Sequence, residues 1–297
     1  MTLAIHQNDV FRGQVPEFPG LSTDLAFLVD NLYFCITMSS NTAIITGGSS
    51  GIGLEYARQL AGRGYDLALV SNREEELKEA AAALERDYGV KVFTLFADLA
   101  CHGAAAQVVA WCDREGIVPD VVVNNAGMFF MEYLSAESME KVSAMMTLHM
   151  ETVTELCIMF GSRMKANGCG HILNMASMTA WIPAPGIAVY SASKAYLVSF
   201  GKGLSYELKP YGVTVTTVCP AAIDTGLYPL GDKLRGALKR LGIIKSPEWL
   251  VRRALKGMFR GRRLMRPGPL NRLVPALVRL APNALIDRLG MKWINHK

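Results

Sequence analysis

The segment that most constrains the fold is an apolar run followed by a glycine-rich loop and a helix. Thr42-Ala43-Ile44-Ile45-Thr46 predicts a β-strand, Gly47-Gly48-Ser49-Ser50-Gly51-Ile52-Gly53 follows, and a helix then runs to Ala61. Gly47 allows a tight turn, Gly51 lets a pyrophosphate approach the backbone, and Gly53 allows close packing of helix and strand. The phosphates would lie at the positive helix N-terminus. The segment therefore predicts a dinucleotide-binding unit, with a glycine turn that binds nothing as the alternative.

Apolar strands alternate with helices along most of the chain. After the first strand, the predicted strands are 66–71, 91–96, 120–123, 170–176 and 213–219. The helical patterns between them include a broken or two-part region at 135–166 and a helix over Tyr190–Leu208. This alternation predicts a parallel sheet covered on both faces, whose ligands lie at the carboxyl ends of the strands.

Tyr190 and Lys194 are four residues apart, so a helix places both side chains on one face. A lysine ammonium one turn away favours the phenolate and lowers the tyrosine pKa from its usual value near 10. Ser177 follows a predicted strand at its carboxyl end. Its hydroxyl can hydrogen-bond a substrate oxygen that gains or loses a proton. Such a trio suits proton transfer to a carbonyl oxygen, although the spacing also occurs by chance on ordinary helices.

The second strand ends in Ser71-Asn72-Arg73, where an NAD-binding unit usually carries an acid for the ribose hydroxyls. Without a carboxylate, a 2′-phosphate is not repelled, and Arg73 can hold it. NADP(H) is therefore preferred over NAD(H), which remains the alternative cofactor. Arg73 could instead only begin the charged helix that follows.

Taken together, four pieces of the chain closely resemble the short-chain dehydrogenase/reductase family. They are Thr46-Gly47-x-x-x-Gly51-x-Gly53, Asn124-Asn125-Ala126-Gly127, Ser177 and Tyr190-x-x-x-Lys194, in order over roughly residues 40–225. The resemblance implies a Rossmann-type doubly wound sheet of order 3-2-1-4-5-6-7. It also implies that Tyr190 is the general acid/base, that Lys194 lowers its pKa and binds the nicotinamide ribose, and that Ser177 orients the substrate. Together with the glycine loop, the implied cofactor-binding residues are Thr46, Ser49, Ser50, Ile52, Asn72, Arg73, Asp98, Leu99, Asn125, Ala126, Gly127, Tyr190, Lys194, Pro220, Ile223 and Thr225.

Two positions depart from the family pattern. His149 stands where members usually carry a catalytic asparagine that holds a water in a proton relay to the lysine. A histidine can bind water and can charge near neutral pH, so we consider both an altered relay and a residue that only fills a helix position. We expect His149→Asn to keep or raise activity. Pro220-Ala221 replaces the usual Pro-Gly, so Ala221 is expected to adopt a geometry that suits glycine.

The net charge of +5 conceals a basic C-terminal part, because residues 231–297 hold 17 Lys+Arg against 3 Asp+Glu. We expect a basic helix around Lys233–Leu241 and another from Pro247 to Phe259. Helical apolar spacing then continues from Leu270 and from Leu285. This amphipathic tail either packs on the body or a second subunit, or lies on an anionic membrane. This tail stands where many members have a short strand. In this respect the chain resembles the branch of long-chain 3-ketoacyl reductases and 17-beta-hydroxysteroid dehydrogenase-like enzymes.

Composition restricts the class of protein and the compartment in which it works. Hydrophobic content of 51% and charged content of 19% fit a globular enzyme. Six scattered cysteines, without CxxC or metal-ligand spacing, predict a reduced cytoplasmic protein with no metal. The basic tail adds the alternative of a protein bound at the inner face of a membrane. Residues 1–37 are predicted to be an extension before a natural start at Met38, residues 38–268 the catalytic domain, and residues 269–297 its tail.

The sequence thus predicts an NADP(H)-dependent oxidoreductase that interconverts a secondary alcohol and a ketone on an apolar steroid or long-chain 3-oxoacyl substrate. Apolar residues that follow the active-site segments could line its pocket, although many of them could equally be ordinary core or lid packing. They are Met128, Phe129, Phe130, Met178, Trp181, Ile182 and Pro183. A homodimer or homotetramer is expected, and no nucleic-acid motif is present. The alternatives are a non-catalytic dinucleotide sensor or scaffold, and a membrane-peripheral reductase of a sphingoid-type lipid ketone.

Overall fold

A computed structural model describes residues 41–225, 236 and 244–280. These residues belong to one compact unit. The strands are β1 (Thr42–Thr46), β2 (Asp66–Ser71), β3 (Val92–Phe96), β4 (Val121–Asn124), β5 (Gly170–Met175), β6 (Val213–Val218) and β7 (Leu264–Met265). In the same residues the α-helices are α1 (Gly51–Ala61), α2 (Glu74–Tyr88), α3 (Ala104–Glu115), α4 (Met139–Met146), α5 (Thr152–Asn167), α6 (Ala188–Leu208), α7 (Pro247–Met258) and α8 (Leu270–Leu280).

The strands form one parallel sheet in the order β3-β2-β1-β4-β5-β6-β7, as predicted. Ile44 pairs with Ala68 on one side and Val122 on the other, which fixes the register at the centre. Both faces of the sheet are covered. Ile44 and Val122 face a core with α3, α5 and α6, whereas Ile45 and Val123 face a core with α1 and α7. Burial on both faces explains why these strands read as continuous apolar runs.

The seventh strand corrects one expectation about the C-terminal part, although the sheet order implied by the resemblance includes such a strand. We expected Arg266-Pro267-Gly268 and the amphipathic tail to stand in place of the short strand of many members. Leu264 and Met265 instead pair in parallel with Thr217 and Val218. Backbone hydrogen bonds from Thr217 N to Arg263 O and from Cys219 N to Met265 O, both 2.8 Å, extend this ladder. A two-residue strand has no readable alternation, so only its pairing defines it.

The region predicted to be a broken helix is interrupted by a π turn. A short 3-10 turn (Ala136–Ser138) precedes α4, and a π-helical turn (Thr147–Glu151) joins α4 to α5. A π turn inserts one extra residue into a helix and is often found at functional sites. His149 lies within this turn and is buried.

The C-terminal part is described as far as Leu280. The helix α7 agrees with the predicted segment, and α8 begins at Leu270 with Pro275 inside it. Among the described residues, no helix is long and apolar enough to cross a membrane. The predicted helices around Lys233–Leu241 (apart from Gly236) and from Leu285 onward lie outside the described residues, as do residues 1–40. The predicted boundary at Met38 therefore stays a prediction.

Candidate active site

A cleft of about 940 Å³ lies at the carboxyl ends of the central strands. It contains the predicted site residues Gly47, Ser49, Ser50, Gly51, Ile52, Asn72, Arg73, Asp98, Leu99, Asn125, Ala126, Gly127, His149, Ser177, Tyr190, Lys194, Pro220, Ile223 and Thr225. The predicted residues Thr46 and Gly53 are not among those that line it. The cleft therefore joins the glycine loop to the Ser-Tyr-Lys trio, as expected for an open parallel sheet.

The glycine loop has the backbone geometry that its sequence requires. Gly47 and Gly51 adopt φ angles of +65° and +56°, in the left-handed region that favours glycine. A Cβ at Gly53 would overlap the carbonyl oxygen of Gly47 and lie 2.6 Å from Asn125 Nδ2. Gly53 thus lets the first turn of α1 pack directly on the loop. No acidic residue lies in that turn, so the helix N-terminus can accept an anion.

Thr46 and Asn125 hold this loop beneath the cleft. Thr46 Oγ1 accepts hydrogen bonds from the backbone N–H groups of Asn125 (2.9 Å) and Ala126 (3.0 Å). Asn125 Nδ2 donates to the carbonyl oxygen of Thr46 at 3.0 Å. These bonds join the ends of β1 and β4, so Thr46 supports the binding loop from below and does not line the cleft.

The rim beyond β2 contains an ion pair that sequence reasoning missed. Ser49 Oγ and Ser71 Oγ are 2.8 Å apart, and Arg73 N donates to Ser71 Oγ at 3.2 Å. The exposed Arg73 guanidinium lies 3.1 Å and 3.2 Å from the two carboxylate oxygens of Glu76, which also lines the cleft. The i,i+3 spacing on α2 was the available signal for this pair.

The trio lies on two neighbouring elements. Ser177 follows β5, and its Oγ accepts a hydrogen bond from Thr179 N at 3.2 Å. The buried Tyr190 ring lies edge-on to Phe129, with 5.0 Å between ring centroids. Lys194 Nζ lies 5.5 Å from the Tyr190 ring centroid and donates to the carbonyl oxygen of Met175 at 3.1 Å. Burial lowers the pKa of Lys194 to about 8.

His149 does not behave as the sequence suggested. We expected a histidine that can charge near neutral pH, but its side chain is buried. Burial and then the charge of Lys194 hold the His149 pKa well below its usual range. Its Nε2 accepts a hydrogen bond from Met128 N at 3.1 Å, and its Nδ1 lies 3.0 Å from Ser193 Oγ. Neutral His149 is therefore the stable form, and both ring nitrogens have protein partners.

The model of the short-chain dehydrogenase family matches residues 41–230. This chain belongs to that family. It is 31% identical over 191 residues to very-long-chain 3-oxoacyl-CoA reductase-B of Danio rerio, and this alignment covers 62% of this chain and 60% of the relative. It is 29% identical over 223 residues to 17-beta-hydroxysteroid dehydrogenase type 3 of the same fish, covering 71% of each. The chain thus spans less than two thirds of the length of the first of these relatives.

A solved structure shares the fold closely. The short-chain dehydrogenase from Sphingobium yanoikuyae, in complex with NADPH, aligns with a TM-score of 0.68 and 31% identity. The alignment covers 80% of this chain and 92% of that protein. The four motifs that carried the resemblance therefore lie in a chain whose sheet has the order implied by that resemblance.

The second departure from the family pattern needs no unusual backbone. We expected Ala221 to need a glycine-like conformation, but among the described non-glycine residues Asn41 is the one with a positive φ. The carbonyl oxygen of Pro220 accepts a hydrogen bond from Met178 N at 2.9 Å. This bond fixes the Pro220 segment to the loop after β5, so alanine is accommodated without strain.

Proposed function

We propose that the chain is an NADP(H)-dependent oxidoreductase that interconverts a secondary alcohol and a ketone on an apolar substrate. The observation that carries this proposal is the shared cleft of Ser177, Tyr190, Lys194 and the glycine loop. Membership of the short-chain dehydrogenase family supports the reaction class. The printed names of the relatives, a 3-oxoacyl-CoA reductase and a hydroxysteroid dehydrogenase, support a carbonyl or carbinol substrate.

The cleft fits a nicotinamide dinucleotide. Gly47 and Gly51 line the cleft without side chains where a pyrophosphate would approach, and the first backbone N–H groups of a helix such as α1 have no partner within the helix. Asp98 and Leu99 would hold the adenine end, whereas Asn125, Ala126 and Gly127 line the middle of the cleft. When bound there, the cofactor supplies or accepts the hydride at the carbonyl carbon.

The chemistry at the end of β2 favours a 2′-phosphate. Ser71, Asn72 and Arg73 stand where a ribose-binding acid would exclude it, and Arg73 is exposed at the rim. An arginine can donate two parallel hydrogen bonds to a phosphate. The NADPH complex of the Sphingobium relative supports the same preference. NAD(H) is the alternative that a direct titration distinguishes.

In the proposed reaction, Tyr190 exchanges a proton with the substrate oxygen. Lys194 stays close because its Nζ donates to the Met175 carbonyl, and its positive charge stabilises the Tyr190 phenolate. Ser177 presents an Oγ that is oriented by Thr179 N and can donate its hydrogen to the substrate oxygen. During reduction Tyr190 is the acid, and during alcohol oxidation it is the base.

The substrate side of the site supports an apolar ligand. Met128 lines the cleft, and Phe129 packs against the Tyr190 ring. Trp181 lies beyond Ser177 and carries the Arg266 guanidinium over its ring at 4.4 Å. We propose a steroid or a long-chain 3-oxoacyl ketone as the substrate class, with a sphingoid-type ketone as the lipid alternative.

The experiment that tests this function is a cofactor titration followed by a substrate panel. Purified protein is titrated with NADPH and NADH, and oxidation at 340 nm is followed with steroid, 3-oxoacyl and sphingoid-type ketones. We expect tighter NADPH binding and turnover of one ketone class by the wild type but not by Tyr190→Phe. Binding without turnover on any ketone would support the non-catalytic sensor or scaffold. Failure to bind either cofactor would refute both.

We also propose a homodimer or homotetramer through α5 and α6. Ile158 and Met159 on α5 and Tyr206 on α6 are exposed apolar or aromatic side chains. Exposed apolar residues on a folded chain are often part of subunit interfaces when they belong to one patch. Sedimentation velocity of the wild type and of Ile158→Glu tests this proposal. We expect the wild type to sediment as an oligomer and the variant as a smaller species.

A peripheral membrane contact is supported by α8. Leu273, Leu277 and Leu280, spaced along one side of the helix, are 55%, 57% and 82% exposed. The chain before this helix is also basic, with Arg252, Lys256 and Arg260 exposed, and basic side chains favour binding to an anionic bilayer. Cosedimentation with phosphatidylserine vesicles at low and high salt tests this, with neutral vesicles as the control. Binding that is lost in Leu273→Gln/Leu277→Gln would support it, and no binding at low salt would refute it.

A further inference from the structure

The buried side chain of His149 connects two parts of the active site. From the π turn between α4 and α5, its Nε2 reaches Met128 N, at the end of the loop that contains Asn125, Ala126 and Gly127. Its Nδ1 reaches Ser193 Oγ, and Ser193 Oγ donates to the carbonyl oxygen of Tyr190 at 2.8 Å. A continuous series of hydrogen bonds thus joins the cofactor side of the cleft to the first turn of α6.

The partners determine the tautomer of the ring. A backbone N–H can only donate, so His149 Nε2 must carry the lone pair that accepts from Met128. The single hydroxyl hydrogen of Ser193 is used on the Tyr190 carbonyl, so Nδ1 must carry the ring hydrogen and donate it to Ser193. The Met128 end requires the neutral Nδ1–H form, and the Ser193 end independently requires a hydrogen on Nδ1.

We infer that His149 is a positioning residue, a fixed Nδ1–H imidazole that sets the distance between the Met128 loop and the Tyr190 helix. It replaces a water-binding relay residue with a direct connection, because neither ring nitrogen is left to exchange a proton with Lys194. The role of these two parts in catalysis rests on the proposed function, but the connection itself does not.

The charges around the ring agree with this role. Lys194, on α6, is the charged group that acts on His149, and its ammonium disfavours a second positive charge. The Tyr190 ring lies edge-on to the imidazole, with 5.8 Å between ring centroids. Protonation of Nε2 would place two N–H groups against each other at Met128, which would break the connection.

Histidine side-chain NMR tests the inference without any substrate. We expect nitrogen-15 spectra of the full chain to show His149 as the neutral Nδ1–H tautomer from pH 5.5 to pH 8. The exposed His102, whose pKa is raised by its hydrogen bond to Glu151, is the internal comparison. The His149 signal is assigned by its loss in His149→Asn. Ser193→Ala should shift the Nδ1 signal, whereas Ser191→Ala, a buried serine on the same helix, should not. An Nε2–H tautomer, a titrating His149, or no response to Ser193→Ala would overturn the inference.

Two substitutions then separate a positioning role from simple packing. His149→Asn keeps a donor and an acceptor at this position, whereas His149→Leu fills it without either. We expect NADPH affinity and kcat to stay within about tenfold of the wild type for asparagine. For leucine, which loses the hydrogen bonds to both Met128 and Ser193, we expect both to fall by more than about tenfold. Equal losses in two folded variants would overturn the inference. Lack of turnover by the wild type would refute only the proposed function, because the NMR and NADPH-binding results remain.

Discussion

Lys194 is the active-site residue that we expect to lower the stability of the folded protein. Its side chain is buried, and its Nζ donates to the carbonyl oxygen of Met175. No carboxylate is among the groups that perturb it, and burial lowers its pKa from 10.5 to about 8. An ammonium kept in a dry site for catalysis destabilises the protein without cofactor. We therefore predict that Lys194→Met abolishes turnover and makes the folded protein more stable at pH 7.

The magnitude follows from the pKa. Each pKa unit corresponds to about 1.4 kcal/mol, so lowering from 10.5 to about 8 costs roughly 3 kcal/mol at pH values below both. Losing the hydrogen bond to the Met175 carbonyl offsets about 1 kcal/mol. We expect the free energy of unfolding of Lys194→Met at pH 7 to be about 2 kcal/mol higher than that of the wild type. Because the folded pKa is the lower one, the wild type recovers stability as pH rises from about 8 to 10.5, and the difference shrinks.

Urea unfolding of the cofactor-free protein at pH 7 and pH 10 measures this directly. Lys202→Met is the matched control, because Lys202 is exposed on the same helix and should change stability by less than about 0.5 kcal/mol. A Lys194→Met variant that is less stable than the wild type at pH 7 would refute the reasoning. A stabilisation of equal size at both pH values would refute its electrostatic origin.

Three further substitutions address separate parts of the site. Tyr190→Phe should lower kcat by about 10²–10⁴-fold while NADPH binding, followed by fluorescence, stays within about threefold. Gly53→Ala should abolish detectable NADPH binding in the same titration and lower the urea midpoint, because its Cβ would overlap the Gly47 carbonyl. Glu76→Gln should tighten NADPH binding about threefold and leave NADH binding unchanged, because it frees the Arg73 guanidinium from a weak surface ion pair. Calorimetric affinities for both cofactors that change equally would contradict the last prediction.

The fold was predictable where burial leaves a pattern in the sequence. Runs such as Thr42–Thr46 and Val121–Asn124 are mostly apolar because both sheet faces are covered, and their order with the helices restricts the topology. The resemblance implied a seventh strand, but its position at Leu264–Met265 was not predictable from the sequence, because two residues carry no period. This strand is defined by its pairing with the edge of β6, so it is recognised from the partner strand and not from its own sequence.

The site was predictable to the same degree, because spacing identifies which side chains share a face but not which groups they bond. The four-residue spacing of Tyr190 and Lys194 indicated proximity, but the Met175 carbonyl that holds Lys194 comes from another element.

His149 is the clearest case of a residue whose role depends on its partners. Read alone, a histidine in place of asparagine suggested a group that titrates, because imidazole in water does so near neutral pH. The π turn buries the ring between Met128 N and Ser193 Oγ, 21 residues before it and 44 residues after it. Those two partners, and not the residue type, determine that His149 connects the site instead of exchanging protons in it.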